Sequence, residues 1–355
     1  MKKIRVGIIG TGFGASVHAP IFSLHEGFEV QAITSIHRGH AHVATHNLGI
    51  PNVYTDWKSM LAREQLDLVC ITSRPPLHYE MALACLRQGL YILCEKPLGM
   101  NADETRMLLK ELEASNRPAF VNFEWRLTPI RLKIKEMLNN KQLGTIQSIK
   151  YQGSFSGYKN LTSGYRGWDG RSSDGGGHIF AVGSHMLDSL MWWMNEPIVD
   201  VIADLRTMVP YYNGQDGIEE RDAEDAFTII GHFRSGAAFT IDFLTSAVRG
   251  EGWKLEFYGT EGTLVMENDR DLRVSYGGDY QPIAIDTPEP PSQLSSPANL
   301  YYSAFYPMVD NIYQAIIHKK VSSDIPTFED GHRVQLVMDA IFHSSKNREQ
   351  VLVKI

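Results

Sequence analysis

The sequence predicts an α/β chain of two domains, a parallel sheet with helices on both faces and then an α+β domain with an antiparallel or mixed sheet. Three observations carry this. Short apolar runs alternate with helical patterns over the first third, a glycine-rich turn follows the first run, and beyond residue 146 strand patterns succeed one another with few helices between them. The length of 355 residues agrees, since about 150 residues per domain makes roughly two.

In chain order, Ile4–Ile9, Glu29–Ile33, Leu66–Thr72, Tyr91–Cys94 and Ala119–Phe123 read as buried strands, being short, β-branched and bounded by turns. Helical patterns separate them at Ala15–Leu24, Asp56–Glu64, Leu77–Arg87 and Asp103–Ser115. Strand and helix in alternation imply parallel strands covered on both faces. Leu127–Asn140 is a further amphipathic helix, closed by Leu143-Gly144. Ile146–Phe155, Val199–Met208, Phe227–Phe233, Ala237–Leu244, Trp253–Tyr258 and Thr263–Glu267 then read as longer strands, with hairpin connections at Ser235-Gly236 and 259–262. Helices are expected at His185–Met194, Tyr302–His318 and Asp330–Ser344. Four prolines between Asp286 and Asn299 mark a long surface loop. The domain boundary is placed between residues 123 and 124, giving 1–123 and 124–355.

Composition excludes several classes of function. The 34 basic and 41 acidic residues leave a net charge of −7, without the basic surplus that a nucleic-acid phosphate backbone requires. A 43% hydrophobic, 21% charged chain has ample material for a core and is not disordered. No run of 18 apolar residues is present, so no membrane partner is expected. The first ten residues, interrupted by Gly7 and Gly10, do not read as a signal peptide. Cys70, Cys85 and Cys94, odd in number and close together, point to a reducing cytoplasm rather than a disulfide framework.

Three segments carry chemistry. Gly10-Thr11-Gly12-Phe13-Gly14-Ala15 stands between the first strand and a helix. There, Gly10 serves a tight turn, Gly12 a close approach to a pyrophosphate, and Ala15 close packing of helix on sheet. Ser35 lies about twenty residues on, where NAD-binding units place an acidic residue. With Arg38 and His37 nearby and no carboxylate, the position favours a 2′-phosphorylated cofactor, the alternative being a plain loop. Lys96, in Cys94-Glu95-Lys96-Pro97-Leu98, falls at the carboxyl end of a strand, where ligands bind in open α/β sheets. A free lysine titrates at about 10.4, so acting as a base near neutrality requires burial or a neighbouring positive charge. A surface lysine is the plainer alternative.

The third segment, Gly175-Gly176-Gly177 through Asp188, joins a glycine run to a helix bearing His185 and Asp188 at i and i+3. This spacing suits an imidazole oriented by a carboxylate, a core histidine, or, with His178, an irregular metal set. No metal is expected there, nor at His37, His40, His42 and His46, which read as an exposed helix face. Trp168 and Arg126 suit a polyhydroxylated ligand through an aromatic face and a charged donor. Trp192 and Trp193 read as core.

In order and spacing these segments resemble the Gfo/Idh/MocA family of NAD(P)-dependent oxidoreductases. Glu95-Lys96-Pro97 is the most specific part, supported by Gly10–Ala15, Gly175–Asp188, 257–262 and Phe328-Glu329-Asp330-Gly331. The resemblance covers essentially the whole chain and implies an N-terminal Rossmann domain for the cofactor. A domain with a large, mostly antiparallel open sheet would then hold the substrate and pair subunits into a homodimer or homotetramer. It implies hydride transfer between NAD(P) and a hydroxyl or keto carbon of a sugar, cyclitol or similar polyol, with Lys96 and His185 handling the proton. Ser73, His78 and Glu95 join the glycine turn, Ser35, Arg38 and Lys96 as expected cofactor contacts. Arg126, Trp168, His178, His185 and Asp188 join Lys96 around the substrate, and NADP is slightly preferred over NAD. One departure stands out: the family places an acidic or amide residue four positions before the histidine, where this chain has Ala181. That leaves room for a non-redox relative, either a ligand-responsive regulator or an NAD-retaining glycosidase.

Overall fold

The computed structural model describes residues 3–36, 48–115, 117–215 and 217–354. The chain divides into two compact units, Met1–Thr128 with Thr287–His332, and Pro129–Asp286 with Arg333–Ile355.

The first unit is built on β1 (Ile4–Ile9), β2 (Phe28–Thr34), β3 (Asn52–Tyr54), β4 (Leu68–Ile71), β5 (Tyr91–Cys94) and β6 (Ala119–Val121). Among the described residues these strands pair in the order β3-β2-β1-β4-β5-β6, all parallel. The order reverses beside β1, so the crevice for a ligand falls at the carboxyl ends of β1 and β4. Both β4 and β5 are wholly buried, as strands covered by helices on two faces must be. The three-residue β3 was not expected, because Asn-Val-Tyr is too short for a periodic pattern.

The first helix differs from the regular α-helix expected over Ala15–Leu24. It opens as a π-helical turn, Gly14–His18, and becomes α-helical only at Ala19–Leu24. Pro20 has no amide hydrogen to close an i−4 bond, and the chain takes the wider turn ahead of it. The helix Ala298–Ile317 belongs to this unit and seals its aromatic core. Phe305 lies 4.5 Å from the His18 ring and 6.1 Å from Phe22, while Tyr313 lies 5.8 Å from Phe28.

The second unit holds a mixed sheet of β7 (Ile146–Ser154), β8 (Ile198–Arg206), β11 (Ala226–Phe233), β12 (Ala238–Leu244), β13 (Gly252–Gly259), β14 (Thr263–Glu267), β15 (Asp271–Ser275), β16 (Gln281–Ile283) and β17 (Val351–Leu352). A separate hairpin pairs β9 (Tyr211–Gly214) with β10 (Gly217–Glu220). Within the large sheet only β7 and β12 pair in parallel among the described strands. Alternation decides which face is covered: Phe239, Ile241 and Phe243 of β12 are buried, whereas Thr240 and Asp242 between them are exposed. Against the covered face lies the helix Ser184–Met194, whose Trp193 meets Phe257 edge-on at 5.5 Å. Buried Arg131 ties this layer together, donating to Asp269 at 2.8 Å, Ser189 at 3.2 Å and the Tyr151 hydroxyl at 2.8 Å.

Candidate active site

The glycine turn is shaped by its neighbour in the sheet. Gly10 has φ +117°, and a Cβ there would stand 2.6 Å from the Thr72 carbonyl oxygen. Thr72 seals the turn from the end of β4, its hydroxyl donating to the carbonyls of Ile9 at 2.9 Å and Gly10 at 3.2 Å. The close approach of helix to sheet falls on Gly14 rather than Ala15, since a Cβ on Gly14 would meet Thr72 Oγ1 at 2.4 Å. Gly12 is different: nothing lies within 4 Å of its missing Cβ. Two glycines packed tight and one facing open space, at the start of a helical run, fit a pyrophosphate on backbone amides. At the end of β2, Ser35 is buried and its Oγ accepts from Thr11 Oγ1 at 3.0 Å. Arg38 and the histidines at 37, 40, 42 and 46 lie outside the described residues.

The turns after β4 and β5 flank the same end of the sheet. Lys96 is half-buried and is followed by a cis bond to Pro97. His78 is fully buried and spans the two turns, with Nδ1 2.7 Å from the Pro97 carbonyl and Nε2 2.9 Å from the Ser73 carbonyl. Burial lowers its pKa, against the pull of both carbonyls. Ser73 Oγ turns to Met81 Sδ at 3.2 Å. Glu95 points inward, its Oε1 accepting from His18 Nε2 at 2.8 Å and Asn122 Nδ2 at 2.7 Å. Burial opposes ionisation of Glu95, but these two donors and Lys96 outweigh it, and its pKa is lowered. Phe13, within the glycine turn, meets Tyr301 edge-on at 4.9 Å. Arg126, buried, is paired with Asp330 at 3.3 Å, and Asp330 also accepts the Thr327 amide at 3.0 Å.

In the second unit the glycine run has its own reasons. A Cβ on Gly176 would stand 2.4 Å from the Asp169 carbonyl oxygen, and one on Gly177, at φ +100°, 2.4 Å from Glu224 Oε1. Glu224 is buried, and its Oε1 accepts the Ile179 amide at 2.7 Å. Desolvation pushes its pKa up to about 7. The His178 amide donates to the Glu224 carbonyl at 3.0 Å and its Nδ1 lies 3.2 Å from the same oxygen, while burial lowers the ring's pKa. Arg166 Nε and Nη2 donate to Asp169 Oδ2 at 3.1 and 2.8 Å, while Nη1 is buried with no hydrogen-bond partner among the described residues. Trp168 between them is exposed. A π-helical turn, Ile179–Gly183, carries Ala181 into the helix on which His185 and Asp188 are both buried.

Two family models divide the chain between them. One, described as the oxidoreductase family with NAD-binding Rossmann fold, matches residues 4–123, and the other, its C-terminal alpha/beta domain, matches residues 135–354. The chain belongs to the Gfo/Idh/MocA oxidoreductase family. Levoglucosan dehydrogenase of Pseudarthrobacter phenanthrenivorans is 24% identical over 392 residues, spanning 99% of this chain and 98% of its own. Myo-inositol 2-dehydrogenase of Thermotoga maritima is 24% identical over 271 residues, 76% of this chain and 77% of its own. Among solved structures, an NAD-binding oxidoreductase from Klebsiella pneumoniae superposes with a TM-score of 0.86 at 25% identity, covering 99% of this chain and 100% of its own. The Rossmann unit and the mostly antiparallel second sheet are thus the family's fold, and the chain is an NAD-dependent oxidoreductase.

Within this family member, several residues that support these segments in one unit or the other escape a reading of motifs. Thr72, His18, Asn122, Tyr301 and Glu224 carry no pattern of their own. Each matters through a partner distant in sequence: Glu95 is 77 positions from His18, and Glu224 is 45 from Ile179. Among the described residues no group of three or more His, Cys, Asp and Glu is arranged to hold a metal ion, and no helix is long and apolar enough to cross a membrane. The three cysteines are buried thiols, with burial pushing Cys85 up to about 12.

Proposed function

We propose that this family member interconverts a hydroxyl and a keto group on a sugar, cyclitol or similar polyol, using NAD(P). The observation that carries this reading is half-buried Lys96 at the carboxyl end of β5, on the sheet whose β1–β4 switch point bears the glycine turn. The named relatives, dehydrogenases of levoglucosan and myo-inositol, support the substrate class. The glycine turn, Ser35, Arg38, Ser73, His78, Glu95 and Lys96 hold the cofactor, which supplies the hydride acceptor or donor when bound. His78 acts through the two turns it joins, since both of its ring nitrogens already face carbonyls. Lys96 takes the proton from the reacting hydroxyl and returns it in the reverse direction. His185, oriented by Asp188, steadies that hydroxyl, while Arg126, Trp168 and His178 contact the rest of the substrate. Residues 1–123 serve the cofactor, backed by the helix Ala298–Ile317 that packs in the same unit; the rest of residues 124–355 serve the substrate and a dimeric or tetrameric assembly in the cytoplasm.

Lys96→Ala tests the assignment: turnover should fall about 10²–10⁴-fold, well beyond the loss of cofactor affinity that its contact there accounts for. Full activity in that variant removes Lys96 from the mechanism. Ala181, where the family has an acidic or amide residue, favours a second reading, a non-redox relative that keeps the cofactor. A screen of polyols, sugars and keto-sugars for a change in reduced-nicotinamide absorbance separates the two. Tight cofactor binding with no turnover on any compound favours the second. A slight preference for NADP follows from Ser35 and Arg38 without a carboxylate, and it should shrink as salt rises. Tighter binding of NAD at low salt overturns it.

A further inference from the structure

Against Glu95 lies a buried polar group that the mechanism above does not use. His18 is 0% exposed and ringed by Phe13, Phe22 and Phe305 at 5.5, 6.3 and 4.5 Å. Its Nε2 and Asn122 Nδ2 converge on one oxygen of Glu95, at 2.8 and 2.7 Å. His18 Nδ1 has no hydrogen-bond partner among the described residues. Because a carboxylate only accepts, the Nε2 that faces Glu95 carries a proton and donates it. Burying a carboxylate so deeply is costly unless donors hold it, and here two donors do so, one at the end of the π-helical turn Gly14–His18 and one just past β6. Glu95 Oε2 makes no hydrogen bond to any described residue, and the side chain keeps 12% of its surface exposed. The fixed negative charge thus reaches the carboxyl end of β5, in the half of the sheet that takes the second mononucleotide of a dinucleotide.

We propose that His18 is a positioning residue which, with Asn122, holds Glu95 as a fixed charge that makes the site favour oxidised, cationic nicotinamide over the neutral reduced form. This rests on the cofactor-binding reading above. A carboxylate near a cationic ring attracts it, while the reduced ring, being uncharged, gains little.

The test compares dissociation constants for NAD+ and NADH on the full-length chain, measured by calorimetry and by nucleotide fluorescence at one pH. Glu95→Gln keeps the shape and removes the charge, and it should weaken NAD+ about tenfold while moving NADH less than about twofold. His18→Leu should shift the same ratio about threefold to tenfold, the scale of one hydrogen bond to a charged group. His18→Gln, which keeps an amide donor, should restore the ratio to within about twofold of the natural chain. A purely structural role would weaken both nucleotides alike in every variant, and that result overturns the proposal. An unchanged ratio in Glu95→Gln overturns it as well, even if His18→Leu fails to fold. If the natural chain binds neither nucleotide, the cofactor-binding reading falls and this inference falls with it; binding with an unmoved ratio sinks this inference alone.

Discussion

The two glycine-rich turns of this protein do different work. At Gly10 the intruding neighbour is chiefly the main chain of Thr72, just past the adjoining parallel strand, and at Gly14 it is the uncharged side chains of Thr72 and Ile8. In the second turn Gly176 also meets main chain, that of Asp169 and Trp168, but at Gly177 the neighbour is the carboxyl of Glu224, a buried acid from the segment leading into β11. At Gly10 and Gly14 no titratable atom approaches, so that turn is indifferent to protonation. The second leans on a side chain whose charge changes near neutrality, so its geometry and its electrostatics are coupled. A glycine motif therefore reports a close approach, and the atom that approaches decides whether the turn responds to pH.

Substitutions can break or sharpen that contrast. The largest loss is expected for Gly10→Ala, which meets both a carbonyl oxygen at 2.6 Å and a φ of +117°. Stability should drop by about 3–4 kcal/mol in chemical denaturation. Gly12→Ala should stay within about 0.5 kcal/mol of the natural chain yet weaken cofactor binding, because its surroundings are open. If both substitutions destabilise equally, the division of labour within the turn is wrong.

Next comes pH. Glu224 has its pKa pushed up from 4.5 to about 7, so the folded chain keeps that proton longer than the unfolded one. Stability should then fall as pH rises through that window, by on the order of 3 kcal/mol for this group. Glu224→Gln should flatten the difference between denaturation midpoints at pH 5 and pH 8; an unaltered pH dependence would show that Glu224 does not titrate there. Gly177→Ala should cost about 2 kcal/mol, of which the part due to the carboxyl disappears in a Glu224→Ala background. A double-mutant cycle reads that coupling directly, and full additivity would separate the turn from its acid. The smallest effect is at Ser35→Asp: NADP should bind about tenfold more weakly and NAD within about twofold, since a carboxylate there repels only the 2′-phosphate. Parallel titrations of both nucleotides check this.

Much of the fold was legible beforehand because it rests on local regularities. Ile4–Ile9 and Tyr91–Cys94 stand where their β-branched, apolar runs put them, with the observed bounds the same as those expected. The glycine turn was legible for a similar reason: a strand, a tight turn and a helix are consecutive in the chain. Less was visible where no period exists, as in the three residues of β3, or where a single residue redirects a helix, as Pro20 does after the π-helical turn.

By itself the sequence determined the alternation of strand and helix, the placing of Lys96 at a strand end, and the family to which these belong. Only the tertiary structure decided which side chains stand behind them. That Thr72 closes the glycine turn follows from the pairing of β1 with β4. That His18 and Asn122 meet on Glu95, and that Glu224 lies over Gly177, follows from elements packed together across 77, 27 and 47 positions of chain. Periodicity reports what a residue does for its own strand or helix. A hydrogen bond between buried groups depends on two elements arriving at one place, and no local pattern records that meeting.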